Sequence, residues 1–151
     1  MNYWLFKSEP DEYSIDHLKT DKKCLWEGVR NYQARNIMRD ECQKGDIILY
    51  YHSSTKETGI YGLAIINQTG IADPSQFDKN SKYYDPKATK EEPRWICVEV
   101  KYKKKFKSPI LRDELKENKK LKDLMLLQKG SRLSIQPVSE KHAKIILEML
   151  K

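Results

Sequence analysis

Cysteine is scarce in this sequence: Cys24, Cys42 and Cys97 are the whole complement, and none forms a CxxC pair. Their odd number leaves at least one without an intramolecular partner. That argues against a disulfide framework and suits a reducing compartment, where each is a small buried hydrophobe. His17, His52 and His142 show no zinc spacing, and no HExxH occurs, so no metal site is expected. GxGxxG and P-loop motifs are missing as well; with them go the usual cradles for nucleotide cofactors, and no cofactor is expected. No apolar run approaches the roughly 18 residues that a membrane span needs. The first residues, Met1-Asn2-Tyr3-Trp4-Leu5-Phe6-Lys7, lack the basic n-region and long apolar h-region of a signal peptide. The expectation is a soluble, cytoplasmic protein that does not engage membranes.

What is present is charge. Charged residues make up 34% of the 151 positions and hydrophobic ones 38%, with a mean hydropathy of −0.81. The apolar residues are clustered, as in Ile47-Ile48-Leu49-Tyr50-Tyr51 and Ile145-Ile146-Leu147, which argues for a folded core. The length fits one domain, 1–151, able to bury a core without disulfides or metals. A net charge of +7 and a pI near 9.2 favour a polyanionic partner, with a solubility surplus as the simpler alternative.

Tyr3 to Phe6 reads as a first strand. Ser14 is placed to cap a short helix bearing Ile15 and Leu18, and Asn31 a second with Ala34, Ile37 and Met38 on one face. Gly45-Asp46 turns into an apolar strand, Ile47 to His52, that reads as buried on both sides. Gly59 to Asn67 completes a hairpin-like pair. Residues 68–93 are loop-rich, with one helical turn near Ser75 to Phe77, and a connection that long is usually functional or mobile. Arg94 to Phe106 alternates, with Ile96, Val98, Val100 and Tyr102 on one side. Short helices near Leu111–Glu117 and Leu121–Leu127 precede a last strand, Ser131 to Gln136. Ser139 then caps a closing helix whose His142, Ile145, Ile146, Met149 and Leu150 share a face. About five strands with helices at their ends make an α+β domain built on a curled sheet or small barrel.

Several segments, in order, are similar to the EVE domain family. They are Tyr3-Trp4-Leu5-Phe6-Lys7-Ser8-Glu9-Pro10, Trp26-Glu27-Gly28-Val29-Arg30-Asn31-Tyr32-Gln33-Ala34-Arg35-Asn36, Tyr50-Tyr51-His52-Ser53, Gly59-Ile60-Tyr61-Gly62, Tyr83-Tyr84-Asp85-Pro86, Pro93-Arg94-Trp95 and Arg132-Leu133-Ser134-Ile135-Gln136-Pro137. Each is short, but seven in register across the chain are specific. The resemblance implies a PUA-like, small mixed β-barrel flanked by short helices. It also implies a pocket for a modified base, with modified cytosine in DNA the first expectation and modified RNA the alternative.

A base reader must take a nucleotide out of its stack, cover its faces and hydrogen-bond its Watson–Crick edge. Trp26, Tyr32, Tyr51 and Tyr84 lie in the similar segments and could cover the faces, although aromatics beside strands are commonly core. Lys7, Ser8, Glu9, Asn31, His52 and Ser53 offer the mixed donors and acceptors that the edge needs. The simpler readings are a turn for Ser8-Glu9-Pro10, a helix cap for Asn31, and a satisfied strand-end histidine for His52. Val29 and Ile60 could line the site apolarly. One buried methyl is worth only about 0.8 kcal/mol, roughly fourfold in affinity, so modest selectivity is expected. Arg30 and Arg35, beside this set, are phosphate candidates. Lys103, Lys104 and Lys105, in a basic run with interleaved aromatics, are others, or else simply a solvated face.

An enzymatic alternative is a Mg²⁺-dependent nuclease. Asp85 with Glu99 and Lys101 loosely echoes a pattern in which two carboxylates hold the metal and a lysine assists water attack. A module of this size that only reads a base would act through a separate effector enzyme.

Overall fold

The computed structural model describes residues 1–150. Its frame is a six-stranded mixed sheet. β1 (Tyr3–Ser8) runs parallel to β3 (Ile47–His52), with Tyr3 opposite Ile47 and Ser8 opposite His52. β4 (Gly59–Ala72) pairs antiparallel with β3 on one side and with the sixteen-residue β5 (Ile96–Leu111) on the other. Two short strands close the ends: β2 (Lys23–Leu25) beside β5, and β6 (Ile135–Val138) beside β1. The order is β2-β5-β4-β3-β1-β6. Register shifts punctuate the β4–β5 ladder between Ile60/Gly62, Leu63/Ala64, Ile66/Gln68 and Gln68/Ile71. Each shift bends and twists the pair, and together they curl the sheet toward a barrel.

The unbroken apolar character of β3 follows from its central place, because both sheet faces are covered. Ile48 and Tyr50 point into one core with Trp4, Phe6, Trp26, Val98 and Val100. Leu49 and Tyr51 point into a second core with Leu5, Ile60 and Phe106. The first core is roofed by α2 (Ile15–Asp21), through Ile15 and Leu18, and by α3 (Tyr32–Asn36) with its continuing π-turn, through Ala34, Ile37 and Met38. The second is roofed by α4 (Arg112–Glu117) and by α5 (Glu140–Glu148), through Leu115, Ala143 and Ile146. The caps lie where the sequence places them: Ser14, Asn31 and Ser139 each accept a backbone N–H from the first turn. A one-turn helix, α1 (Pro10–Tyr13), follows β1 and starts on its proline. Asp46 is buried and fixes the start of the parallel pair, accepting from Trp4 Nε1 at 2.9 Å and from the N–H groups of Asn2 and Gln43.

Five expectations shift, one of them the strand expected over Arg94 to Phe106, which runs from Ile96 to Leu111. β4 runs on to Ala72. β2, three residues long, carries no periodicity that could announce it. Leu121–Leu127 forms two 3₁₀ turns, Lys119–Leu121 and Met125–Leu127. The last strand lies at Ile135–Val138 rather than 131–136, and Pro137 fits there because β6 is an edge. Displacing that strand leaves Ser131–Ser134 as open chain beside the end of β1.

Candidate functional site

The C-terminal ends of β1 and β3 meet at the surface, where Ser53 N–H donates to Ser8 O at 3.0 Å and Lys7 N–H to Ser134 O at 2.9 Å. A cleft of about 920 Å³ opens over this junction, within the usual span of small-ligand sites. Its floor is the end of β1, and one wall is the segment Cys24–Asn31, hung from β5 by Trp26 N–H on Val98 O. Tyr13, Tyr83, Ser53, Arg132 and Ser134 complete it. Of the residues proposed for a base pocket, Lys7, Ser8, Glu9, Trp26, Val29, Asn31 and Ser53 are brought together here.

The polar groups divide into committed and free. Ser8 Oγ donates to Tyr13 O at 2.7 Å, and Asn31 Oδ1 caps α3 through Ala34 N–H at 2.9 Å. That leaves the Asn31 amide NH₂ as a donor. The side chains of Lys7, Glu9, Glu27 and Arg132 have no protein partner among the described residues, and each lines the cleft. The indoles of Trp4 and Trp95 donate to Asp46 and Asp85, whereas Trp26 Nε1 finds no acceptor among the described residues, and no buried side-chain polar atom among them is left unpaired. Burial, with Arg112 nearby, lowers the Lys7 pKa. Burial and then Asp73 raise the Glu27 carboxyl, against the opposing pull of Arg30. Trp26 itself is 8% exposed and packs between Phe6 and Tyr50, at 5.4 and 5.6 Å between ring centroids. It is a core residue whose edge reaches the cleft.

Five of the expected pocket residues lie elsewhere. Tyr51 and Ile60 belong to the core on the opposite face of the sheet, because alternation sends Tyr50, not Tyr51, toward the cleft side. His52 is buried beneath α2, stacked on Tyr61 at 4.0 Å, and its Nε2 accepts the Ile15 N–H at 3.1 Å. Tyr32 is half exposed and stacks on Trp95 at 4.9 Å, outside the cleft. At the tyrosine pair the structure uses Tyr83 rather than Tyr84 as a wall.

The phosphate candidates are also redistributed. Arg30 is spent inside the fold: it pairs with Asp73 at 3.0 Å and donates to Ser75 Oγ and twice to Tyr83 O, with its plane near the rings of Tyr83 and Trp95. It fastens the long connection over the cleft. Arg35 donates to Arg94 O and Asn36 Oδ1 and lies over the Tyr32 ring. Lys103, Lys104 and Lys105 are exposed on β5 and do not line the cleft, and Lys105 pairs with Asp16 at 2.8 Å.

The connection 73–95 is ordered by two buried polar hubs. Asp73 accepts from Gly28 N–H, Arg30, and the N–H and Oγ of Ser75. Gln76 is fully buried and holds Asp73 O and Trp95 O through its amide nitrogen, with the N–H groups of Arg94 and Trp95 on its oxygen. Asp85 accepts from Trp95 Nε1 and Lys87 N–H, which hold its carboxyl below the ordinary range. Glu99 accepts from Asn67 Nδ2, while Lys101 faces solvent across from Lys23. The carboxylates of the nuclease pattern are thus committed separately, and no group of three or more His, Cys, Asp or Glu among the described residues could hold a metal ion.

Tyr83, Glu27, Gly28, Tyr13, Arg132 and Ser134 also line the cleft and were passed over by sequence reasoning, although most of them stand within the quoted segments.

A curled mixed sheet roofed by short helices, with an aromatic and polar cleft at the end of its parallel pair, defines a PUA-like binding domain. The EVE domain model matches residues 2–149, and the chain belongs to the EVE domain family. It is 36% identical to thymocyte nuclear protein 1 of Mus musculus, over 98% of this chain and 73% of the relative. A crystal structure of a Pseudomonas syringae protein superposes with a TM-score of 0.92 at 44% identity, covering 97% of this chain and 98% of the other. The human THYN1 protein, solved in complex with 5-methylcytosine-containing DNA, superposes with a TM-score of 0.91 at 35% identity, covering 99% and 97%. No described helix is long and apolar enough to cross a membrane.

Proposed function

We propose that the chain is a non-enzymatic DNA-binding module that takes a modified cytosine, flipped from its stack, into the cleft beneath Tyr83. The observation that carries this reading is the human relative's complex with 5-methylcytosine-containing DNA, on a fold shared over nearly the whole chain. The cleft chemistry supports it. Cytosine presents an amine donor and, beside it, ring-nitrogen and carbonyl acceptors. Glu9 or Glu27 can take the amine, and Lys7, the Asn31 amide or Arg132 can serve the acceptors. The Tyr83 ring, the edge of Trp26 and Val29 supply flat or apolar surface for the base and its substituent.

A reader without catalytic groups acts through a separate effector enzyme. The three cysteines are unpaired, which supports a reducing, cytoplasmic setting. The test is fluorescence anisotropy with matched oligonucleotides carrying cytosine, 5-methylcytosine or a bulkier 5-substituted cytosine, as single strands and duplexes of DNA and of RNA, in the presence of EDTA. The expected result is a preference for the modified DNA of at least about fourfold, the worth of one buried methyl. Equal affinity for modified and unmodified strands overturns the reading, and a preference confined to RNA reassigns the polymer.

A further inference from the structure

A second, smaller pocket of about 430 Å³ adjoins the cleft. The two share Lys7, Ser53 and Arg132. The cleft's lining includes the carboxylates Glu9, Glu12 and Glu27, whereas the smaller pocket has none. Its charged residues are Lys7, Arg112, Lys129 and Arg132, joined by Ser53, Thr58, Gln128 and Ser131. Among the described residues, no ion pair involves any of these four cations. Four positive charges without an ion-pair partner around one hollow repel each other; burial is the main cause of the lowered Lys7 pKa, and the nearby Arg112 charge adds to it. Such a hollow is stabilised by an anion whose several oxygens can meet guanidinium forks and hydroxyls together.

We propose that this smaller pocket holds a phosphodiester group flanking the base read in the cleft, with Arg112, Lys129 and Arg132 as its cationic contacts. The proposal rests on the base-reading function and adds to it the path of the backbone. Base edge and phosphate are sorted by charge: carboxylates face the hollow that takes an amine-bearing ring, and cations alone face the hollow that takes the anion. The phosphate contacts lie at the ends of β1, α4 and the turn before β6, and not on the exposed lysines of β5.

Arg112 and Lys129 line only the smaller pocket, so Arg112→Gln and Lys129→Gln test it without touching the cleft. Binding to modified and unmodified DNA oligonucleotides is titrated against salt for the full chain, the two variants and a Lys103→Gln/Lys104→Gln variant, with melting curves to establish folding. Each pocket variant is expected to weaken both oligonucleotides by the same factor and to reduce the log–log salt slope by about 0.7–0.9, one phosphate contact. Replacing a linkage that flanks the modified base by a neutral methylphosphonate should weaken the parent protein and leave Arg112→Gln with little further loss. Unchanged slopes in both folded pocket variants, or a slope that falls only in the β5 variant, overturn the proposal. A parent protein that shows no preference for the modified base defeats the base-reading function instead, and the Arg112→Gln slope still decides whether phosphate occupies the pocket.

Discussion

The ring of Tyr83 lies directly on the backbone of Gly28, so close that a Cβ added to Gly28 would stand 2.6 Å from the ring. Gly28 also has φ = +82°, a region that L side chains enter at a cost of roughly 1–2 kcal/mol. Its N–H meanwhile donates to Asp73, the hub of the long connection. One wall of the cleft therefore depends on a missing side chain. Gly28→Ala should destabilise the protein by about 2–3 kcal/mol, backbone conformation and displaced ring together. In a Tyr83→Ala background the same change should cost only about 1–2 kcal/mol, because the ring is gone. Urea denaturation of the four proteins in this cycle gives the coupling. Full additivity would mean that ring and glycine do not constrain each other.

Arg30 makes the opposite kind of contribution, a fixed cation that leaves nothing for a ligand. Its partner Asp73 is almost wholly buried, while Arg30 keeps about a fifth of its side chain exposed, at 21%. Arg30→Gln leaves a buried carboxylate without its counter-charge. Breaking buried pairs costs about 3–5 kcal/mol. Here the expected loss is nearer about 2–3 kcal/mol, because Asp73 keeps its bonds from Gly28 and Ser75 and the arginine is partly solvated. The salt dependence of DNA binding should stay that of the parent protein under conditions where the variant is folded. A slope reduced by a full phosphate contact would show that Arg30 touches the backbone after all.

The contrast between Arg30 and Arg112 shows where sequence reasoning reached and where it stopped. Caps, helix faces and the doubly buried strand were legible because they depend on neighbours a few residues apart: Ser14 and its helix, Asn31 and Ala34, Ile47 to Tyr51. The floor of the cleft was legible too, since Lys7, Ser8 and Glu9 are consecutive. What escaped was phase and closure. Tyr50 and Tyr51 are chemically alike, and so are Tyr83 and Tyr84. Strand alternation puts Tyr50 in the core on the cleft side of the sheet and Tyr51 in the other, and the Asp73 and Gln76 hubs, whose partners lie up to 45 positions away, order the connection that carries Tyr83 to the cleft. Nearness in sequence likewise favoured Arg30 and Arg35 as phosphate contacts, with the dense lysine run of β5 behind them. It could not see that Arg112 from α4 and Lys129 and Arg132 from the turn before β6 line one hollow with Lys7.

His52 gives a pH dependence with a definite sign. Its Nε2 accepts the Ile15 N–H, which only the unprotonated ring nitrogen can do. Burial is the main cause of a lowered pKa; Asp16 opposes it and Lys105 adds to it. With the native value below the unfolded value of about 6.5, the contribution is full above that pH and is lost as pH falls through the native value. The parent protein should therefore lose stability as pH falls below about 6.5. His52→Gln, whose amide oxygen can accept the same N–H without titrating, should lose less over that fall. Urea midpoints measured across the range test this; parallel profiles for the two proteins would remove His52 as the source.

Trp26 is where core and site cannot be separated by simple truncation. With Phe6 and Tyr50 packed against it and only 8% of its surface exposed, Trp26→Ala should cost about 3–5 kcal/mol. That is a large part of the stability of a domain this size, so lost binding would say nothing about the cleft. Trp26→Phe is the informative change. It keeps an aromatic ring against both neighbours but removes the pyrrole half of the indole, together with the N–H that has no acceptor among the described residues, for a loss of about 1–3 kcal/mol from the space left behind. If that N–H is turned to the bound base, affinity for the modified oligonucleotide should fall about fivefold, the worth of one hydrogen bond near 1 kcal/mol. The melting transition should stay cooperative. Unchanged affinity in a folded Trp26→Phe protein would show that the indole N–H makes no hydrogen bond to the base and would leave Trp26 to contribute aromatic surface alone.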